Sequence, residues 1–374
     1  MSQKKRIGFY CSSESYGGLQ IHMVRLANWL QDRGWPVLMY LLPDSKMAAD
    51  ATARGLTLRP IKGNRRYLDL SAAWSISKAF TKDEVDVVWL RDPRDLSVAG
   101  IAKGFGRGRI KLIYQQGMQL GSSRRDLIHT LRYTKMDAWL VSLETLAAQL
   151  KQKTRYPHDR IHIVPLGLEL EKFTQPSLSK LEARKKLDLP ETALIIGNIG
   201  RFGKMKQQDL LIRGLQQLRD QGNDCHLLLV GASTINEGDA FINSLHSLIK
   251  ELKLSAYVHF RPYMENVGVF YQSIDIFALA SKKETYGMVT IEALASGLPI
   301  VATNSGGTIE ILKSGKLGLL YDPSSAQDFA LKTETLLTDF DQMKSIGALA
   351  QKEAIEYYSY EKECQRIEEI INIL

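Results

Sequence analysis

The stretch Glu284-Thr285-Tyr286-Gly287-Met288-Val289-Thr290-Ile291-Glu292-Ala293-Leu294-Ala295-Ser296-Gly297-Leu298-Pro299-Ile300-Val301 reads as a loop, a helix and a buried strand in immediate succession. Met288, Val289, Ile291, Leu294 and Ala295 predict the apolar face of the helix, and Gly297 with Pro299 ends it and launches the strand. A helix that returns directly to a buried strand is the repeating step of a parallel α/β layer. The mouth of the helix falls at Tyr286 to Met288. Free backbone N–H groups and the positive dipole end suit a phosphate there, and Gly287 lets the backbone approach closely. Glu284 before the mouth and Glu292 along the helix repel phosphate, so sugar hydroxyls suit them better. Taken alone, the plainer reading prevails: one solvated loop carboxylate and one exposed helical Glu.

A second segment tips the balance. The strand-like run Ala193-Leu194-Ile195-Ile196 leads into Gly197-Asn198-Ile199-Gly200-Arg201-Phe202-Gly203-Lys204-Met205-Lys206, a glycine-containing loop with Arg201 and Lys206 five residues apart. Loops that follow parallel strands crowd one crevice at the carboxyl ends, so this basic loop and the Glu284 helix mouth can meet at one ligand. Arg presents a planar fork to two phosphate oxygens and Lys a mobile point charge, a pair able to neutralise a diphosphate as it leaves. Gly203-Lys204 is not a P-loop, because Asn198 stands where the first glycine belongs and Met205 replaces the required Ser or Thr. Gly104, Gly106 and Gly108 do not form a dinucleotide fingerprint either, since Arg109 occupies the last glycine position.

The same alternation covers the chain. Thirteen short β-rich runs, seven before residue 165 and six after residue 192, are interleaved with helical periodicity. The 374 residues, 44% of them apolar, suffice for two cores. The expected fold is therefore α/β, two Rossmann-like parallel-sheet domains, with Pro176 to Pro190 as connector. From Tyr358 onward Cys364, Ile367, Ile370, Ile371 and Leu374 recur at helical spacing and need a partner. Three well-separated cysteines argue against a disulfide framework or zinc cluster, and no run approaches the roughly 20 apolar residues of a spanning helix. These features predict a cytoplasmic protein.

On Gly200-Arg201 with Lys206, on Glu284 to Glu292 with the following Ala-Leu-Ala-Ser-Gly-Leu-Pro-Ile-Val-Ala, and on Ser305-Gly306-Gly307-Thr308-Ile309-Glu310, the chain resembles the retaining, nucleotide-sugar-dependent glycosyltransferases of family 4. The resemblance implies the GT-B fold, two domains facing a cleft. Residues 1–175, with a crossing helix 358–374, form the acceptor domain, and residues 176–357 form the donor domain. It implies that Arg201 and Lys206 bind the donor diphosphate, that Glu284 orients the donor sugar, and that Glu292 holds the ribose. Tyr286, Gly287, Met288 and Val289 line the donor, and Gly17-Gly18 in the first loop face it across the cleft. A bare Gly-Gly is also explained by a structural turn. Arg261, after a strand, stands where relatives often carry glycine and is assigned to the nucleoside. Many members place a histidine where this chain reads Gln115-Gln116, so Gln116 can bond a sugar hydroxyl but cannot shuttle a proton.

Residues 1–175 hold 28 Lys and Arg against 16 Asp and Glu, an excess of +12, whereas the remainder carries 21 against 25, or −4. Lys62, Arg65 and Arg66, then Arg124 and Arg125, form the basic clusters. They predict an anionic acceptor, a glycan or lipid-linked glycan, and peripheral association with a membrane leaflet; a solvated basic face fits nearly as well. Gln116, Arg124 and Arg125 are the acceptor-side candidates. No cofactor or metal is expected. The only Asp-x-Asp, Asp339-Phe340-Asp341, reads as a helix boundary, and the histidines lack ligand spacing. Nucleic acid is not expected, because no zinc, helix-turn-helix or aromatic RNA-binding signature is present. A sugar-nucleotide epimerase and a non-catalytic basic binding protein stay open.

Overall fold

A computed structural model describes residues 4–65, 67–106, 108–233 and 239–374; Arg66 lies outside the described residues. The chain forms two compact units, Met1–Gly167 with Tyr360–Leu374, and Leu168–Ser359.

The first unit is built on seven parallel strands: β1 (Ile7–Cys11), β2 (Val37–Leu41), β3 (Thr57–Pro60), β4 (Val87–Leu90), β5 (Lys111–Gln115), β6 (Ala138–Val141) and β7 (Ile161–Ile163). Their order is β3-β2-β1-β4-β5-β6-β7, so the winding reverses between β1 and β4. β1 and β4 are buried along their whole length, as central strands covered by helices on both faces must be. Register sets Phe9 between Met39 and Trp89, and the Phe9 and Trp89 rings stack at 5.7 Å. The terminal helix, Tyr360–Ile373, belongs to this unit and buries Cys364, Ile367, Ile370 and Ile371 in its core. Arg33 adds a bidentate contact to Glu368 at 2.8 and 2.7 Å. The helix starts two residues later than the sequence suggests. Tyr358 instead closes the preceding helix, Phe340–Tyr357, and its carbonyl accepts the Leu168 N–H at 2.8 Å. Asp339 is that helix's N-cap, accepting from the Gln342 N–H at 2.9 Å.

The second unit has six parallel strands: β8 (Leu194–Ile199), β9 (Cys225–Val230), β10 (Val258–Arg261), β11 (Ile276–Leu279), β12 (Ile300–Thr303) and β13 (Leu319–Tyr321). Their order, β10-β9-β8-β11-β12-β13, repeats the reversal, here between β8 and β11. Gly197 within β8 is required by packing, since a Cβ there would sit 2.6 Å from Ile274 Cγ2. The expected connector is not featureless. Within it lies the helix Lys180–Lys186, opened by a capping box in which Ser179 and Glu182 satisfy each other's backbone N–H. Its Arg184 is buried and pairs with Asp275 at 2.6 Å. The prolines on either side hid a Ser-x-x-Glu signal that predicts this helix.

Candidate functional site

In a doubly wound sheet, the loops after the two strands flanking the reversal diverge and leave a crevice at their carboxyl ends. In the second unit those are the loops after β8 and β11, which carry Arg201 with Lys206 and Glu284 with Gly287. The Lys282 N–H donates to the Met205 carbonyl at 2.9 Å and draws the two loops together. Lys206 Nζ then lies 2.7 Å from Glu284 Oε2, both groups partly exposed.

Glycines set the backbone around this pair. Gly231, after β9, has φ +157°, and a Cβ on it would stand 1.9 Å from the Gly200 carbonyl oxygen, so the loops after β8 and β9 touch backbone to backbone. Gly306, with φ +60°, lies against Glu284 so closely that a Cβ would come within 2.1 Å of the Glu284 oxygen. The Gly307 N–H donates to that same oxygen at 2.9 Å. The Ser305-Gly306-Gly307 segment thus fixes the backbone of Glu284.

Gly287 is the N-cap of the helix Met288–Ala295, in the left-handed region at φ +83°. It offers no side-chain acceptor to the first turn, which keeps the dipole end open to an external anion. Beside it the Thr290 hydroxyl is buried with no hydrogen-bond partner among the described residues. The helix buries Thr290, Ile291, Ala293, Leu294 and Ala295, while Met288 and Val289 are only half-buried. These two residues therefore stand at the mouth instead of in the predicted apolar face. One turn on, the Tyr271 hydroxyl donates to Glu292 Oε2 at 2.8 Å. Burial, reinforced by the Glu292 charge, holds the Tyr271 pKa well above its ordinary value, so it remains a donor.

The other candidates are distributed differently. Arg201 is exposed, with no side-chain hydrogen bond or ion pair among the described residues. Tyr286 is buried next to Gly287. Arg261 directs Nε and Nη2 to the carbonyls of Leu187 and Asp188, both at 2.7 Å, so its guanidinium braces that turn and its backbone alone accepts from the Gly231 N–H at 3.1 Å. In the first unit Gly17 is the N-cap of the helix Gly18–Asp32, its N–H donating to Gln20 Oε1 at 3.2 Å. Gln116 is buried, and its amide is committed at both ends: it accepts from Trp139 Nε1 at 2.9 Å and donates to the Met118 carbonyl at 2.7 Å. Arg124 and Arg125 are anchored to the Lys153 and Gln152 carbonyls, Arg124 through its N–H and Arg125 through Nη1.

Sequence reasoning missed a polar cluster at the reversal of the first sheet. Arg91, just after β4, is buried; its Nη1 donates to His22 Nδ1 at 2.7 Å and to Gln115 Oε1 at 2.8 Å. An Arg only donates, so His22 carries its proton on Nε2 and donates it to Glu363 Oε2 at 3.0 Å. Glu363 also accepts from the Gly167 N–H at 2.7 Å. Burial lowers the His22 pKa against the opposing pull of Glu363. Beside this cluster Asp95 is fully buried and takes hydrogen bonds from the Ser12 hydroxyl and Asn64; burial raises its pKa to about 6. Lone residues scattered from 22 to 363 carry no spacing signal. Among the described residues no group of three His, Cys, Asp or Glu is arranged to hold a metal ion, no helix is long and apolar enough to cross a membrane, and all three cysteines are free and buried.

Comparison with known proteins agrees with this layout. Residues 179–353 match the family model for glycosyl transferases group 1, and residues 16–172 match that for Glycosyltransferase Family 4. A D-inositol 3-phosphate glycosyltransferase of Corynebacterium urealyticum is 31% identical over 243 residues, 64% of this chain and 57% of that one. The chain thus spans little more than half the length of that relative. The crystal structure of a glycosyltransferase from Rickettsia africae superposes with a TM-score of 0.88 at 20% identity, covering 100% of this chain and 99% of the other. Anabaena HepE in complex with UDP gives 0.85 at 19% identity with both chains fully covered. The same protein in complex with UDP-glucose gives 0.80 at 20% identity, covering 99% and 100%. These likenesses concern the fold, the paired Rossmann-like domains of the GT-B class.

Proposed function

Because the chain belongs to the glycosyl transferases group 1, with a Glycosyltransferase Family 4 amino-terminal half, we propose that it transfers a sugar from a nucleoside-diphosphate sugar to an acceptor hydroxyl with retention of anomeric configuration. The observation that carries this reading is the meeting of Lys206 and Glu284 at 2.7 Å beside the uncapped helix mouth at Gly287. The donor diphosphate sits on Lys206, Arg201 and the first-turn N–H groups of Met288 and Val289. Charge developing on the leaving group then meets donors already in place. Glu284, with its backbone fixed by Gly306 and Gly307, orients the sugar hydroxyls, and Glu292, aimed by Tyr271, holds the ribose. Retention follows if the acceptor attacks the face that the leaving diphosphate vacates, a diphosphate oxygen taking the acceptor proton. No carboxylate then acts as nucleophile, and the reaction needs no metal ion.

The complexes of the Anabaena structure make UDP-sugars the first donors to try. The basic excess of residues 1–175, together with the anionic acceptor in the name of the corynebacterial relative, favours a phosphorylated or lipid-linked acceptor in envelope glycan synthesis, reached at the cytoplasmic face of the membrane. Arg124 and Arg125 are the acceptor-side residues of this proposal. Gln116 has a structural part in it, because its amide is already bonded.

The test is a panel of nucleotide-sugars, in chelator, with nucleoside diphosphate release followed with and without phosphorylated acceptors. Acceptor-dependent release that Arg201→Ala and Glu284→Ala each abolish supports the assignment. Turnover unchanged in either variant rejects it, and sugar inversion without release identifies an epimerase.

A further inference from the structure

Of the seventeen large hydrophobic residues exposed among the described residues, nine fall between Tyr67 and Leu131, all in the first unit. Six of them, Tyr67, Leu68, Trp74, Phe105, Ile128 and Leu131, line two adjoining depressions. The helix Leu127–Tyr133 buries only Tyr133 and turns Leu127, Ile128 and Leu131 outward, with Leu127 70% exposed. That inverts the usual pattern of a surface helix. Leu131 and Ile128 line a groove of about 580 Å³ with Tyr67, Leu68 and Phe105, and almost all of the groove wall is apolar. Phe105 also lines the next depression, with Trp74 and Lys78, so the apolar surface runs on to the helix Leu70–Lys82. Leu70, Trp74 and Lys78 follow one another along its exposed side.

The surface is bordered by cations. Arg132 and Lys135 line the groove, the Arg132 guanidinium lies 5.0 Å from the Tyr67 ring centre, and Lys78 Nζ lies 3.5 Å from that of Trp74. Residues 62–135 hold 15 Lys and Arg against 7 Asp and Glu. Two carboxylates at the patch, Asp69 and Asp126, accept the helix-start N–H groups of Ala72 and His129. An apolar patch of this extent, edged with Arg and Lys, matches one partner chemistry, acyl chains beneath anionic headgroups.

We propose that this face, formed by the helix Leu127–Tyr133, Phe105 and the Tyr67–Trp74 segment, docks the protein on an anionic lipid bilayer, with Leu127, Ile128, Leu131 and Trp74 entering the headgroup boundary. The inference deepens the membrane part of the proposed function, and its failure is separable, since UDP binding at the second unit is titrated on the same protein without lipid.

Trp74 supplies an internal reporter: it is 53% exposed, whereas Trp29, Trp35, Trp89 and Trp139 are buried. Intact protein is mixed with vesicles of phosphatidylcholine alone or with phosphatidylglycerol, and flotation and tryptophan emission are recorded at low and high salt. Expected are binding to the phosphatidylglycerol vesicles, a blue shift absent in Trp74→Phe, and weakening by salt. Leu127→Ser with Leu131→Ser lowers partitioning roughly tenfold or more, with UDP binding and thermal unfolding unchanged. Absence of binding to phosphatidylglycerol vesicles overturns the proposal. So does binding that the double variant leaves intact, or a dimer in solution that the double variant dissociates.

Discussion

Between β8 and β11 the polar side chains Lys206 and Glu284 are partly exposed; between β1 and β4, at the corresponding reversal of the other sheet, Arg91, His22, Asp95 and the adjoining Glu363 are buried. Both crevices gather charge, because loops diverge there in any doubly wound sheet. The difference lies in solvation. A buried ion pair has already lost its water and holds together only through mutual hydrogen bonds, so removing one member strands the others. A partly exposed pair keeps water that a ligand can displace, and its partners can rearrange onto phosphate and sugar. The first reversal therefore builds the scaffold, clamping the terminal helix through Glu363, and the second is available for chemistry.

Four experiments can break or sharpen this contrast. Glu363→Ala leaves Arg91 buried without a counter-charge and is expected to cost about 3–5 kcal/mol of stability, read by urea unfolding, while affinity of the surviving folded protein for the proposed nucleotide donor holds. A near-neutral result would erase the distinction between the two crevices. Lys206→Ala works the other way: a fall in turnover of roughly 10²–10³-fold, with the unfolding midpoint unmoved, checked by nucleoside diphosphate release and a melting curve.

Asp95 adds a pH signature to the buried side. Its folded pKa, about 6, exceeds the ordinary value of 3.8, so between those limits the native state binds more protons than the unfolded one. Stability from this group is fully present below pH 3.8 and lost as pH rises through 6, about 3 kcal/mol at most by linkage. Asp95→Asn should flatten that part of the stability profile; an unchanged slope between pH 4 and 7 rejects the assignment. The smallest effect belongs to Tyr271→Phe, which removes one hydrogen bond to Glu292 and should weaken donor affinity by about 1.5 kcal/mol, roughly tenfold, with kcat nearly constant. A fall in kcat at unchanged affinity would overturn the proposed ribose role of Glu292 and place it at the reacting end.

Sequence legibility follows the same divide. Each of the thirteen strands falls on a run that periodicity marks, five of them reaching one residue past one of its ends, and the central ones stand out because a strand buried on both faces must be continuously apolar and short. Lys206 and Glu284 stand out for a related reason: each lies in the loop that follows a strand at the reversal, so strand order brings those loops to one crevice. The Lys180–Lys186 helix was hidden by its flanking prolines, although Ser179 and Glu182 announce it. The guanidinium of Arg261 and the amide of Gln116 gave no sign of their internal partners, because those partners are carbonyls and an indole that only packing places within reach.

Local rules thus sufficed for what depends on neighbours along the chain: the strands and most helices, the glycine at the Gly287 helix mouth, the basic loop after β8 and the charge imbalance between the halves. Tertiary structure decided what depends on desolvation. It set Lys206 against Glu284, aimed Tyr271 at Glu292, sealed Arg91, His22 and Glu363 from water, and turned Leu127, Ile128 and Leu131 outward. Whether a polar or apolar side chain meets solvent is a property of the surface enclosed around it, and residues far apart in sequence build that surface together.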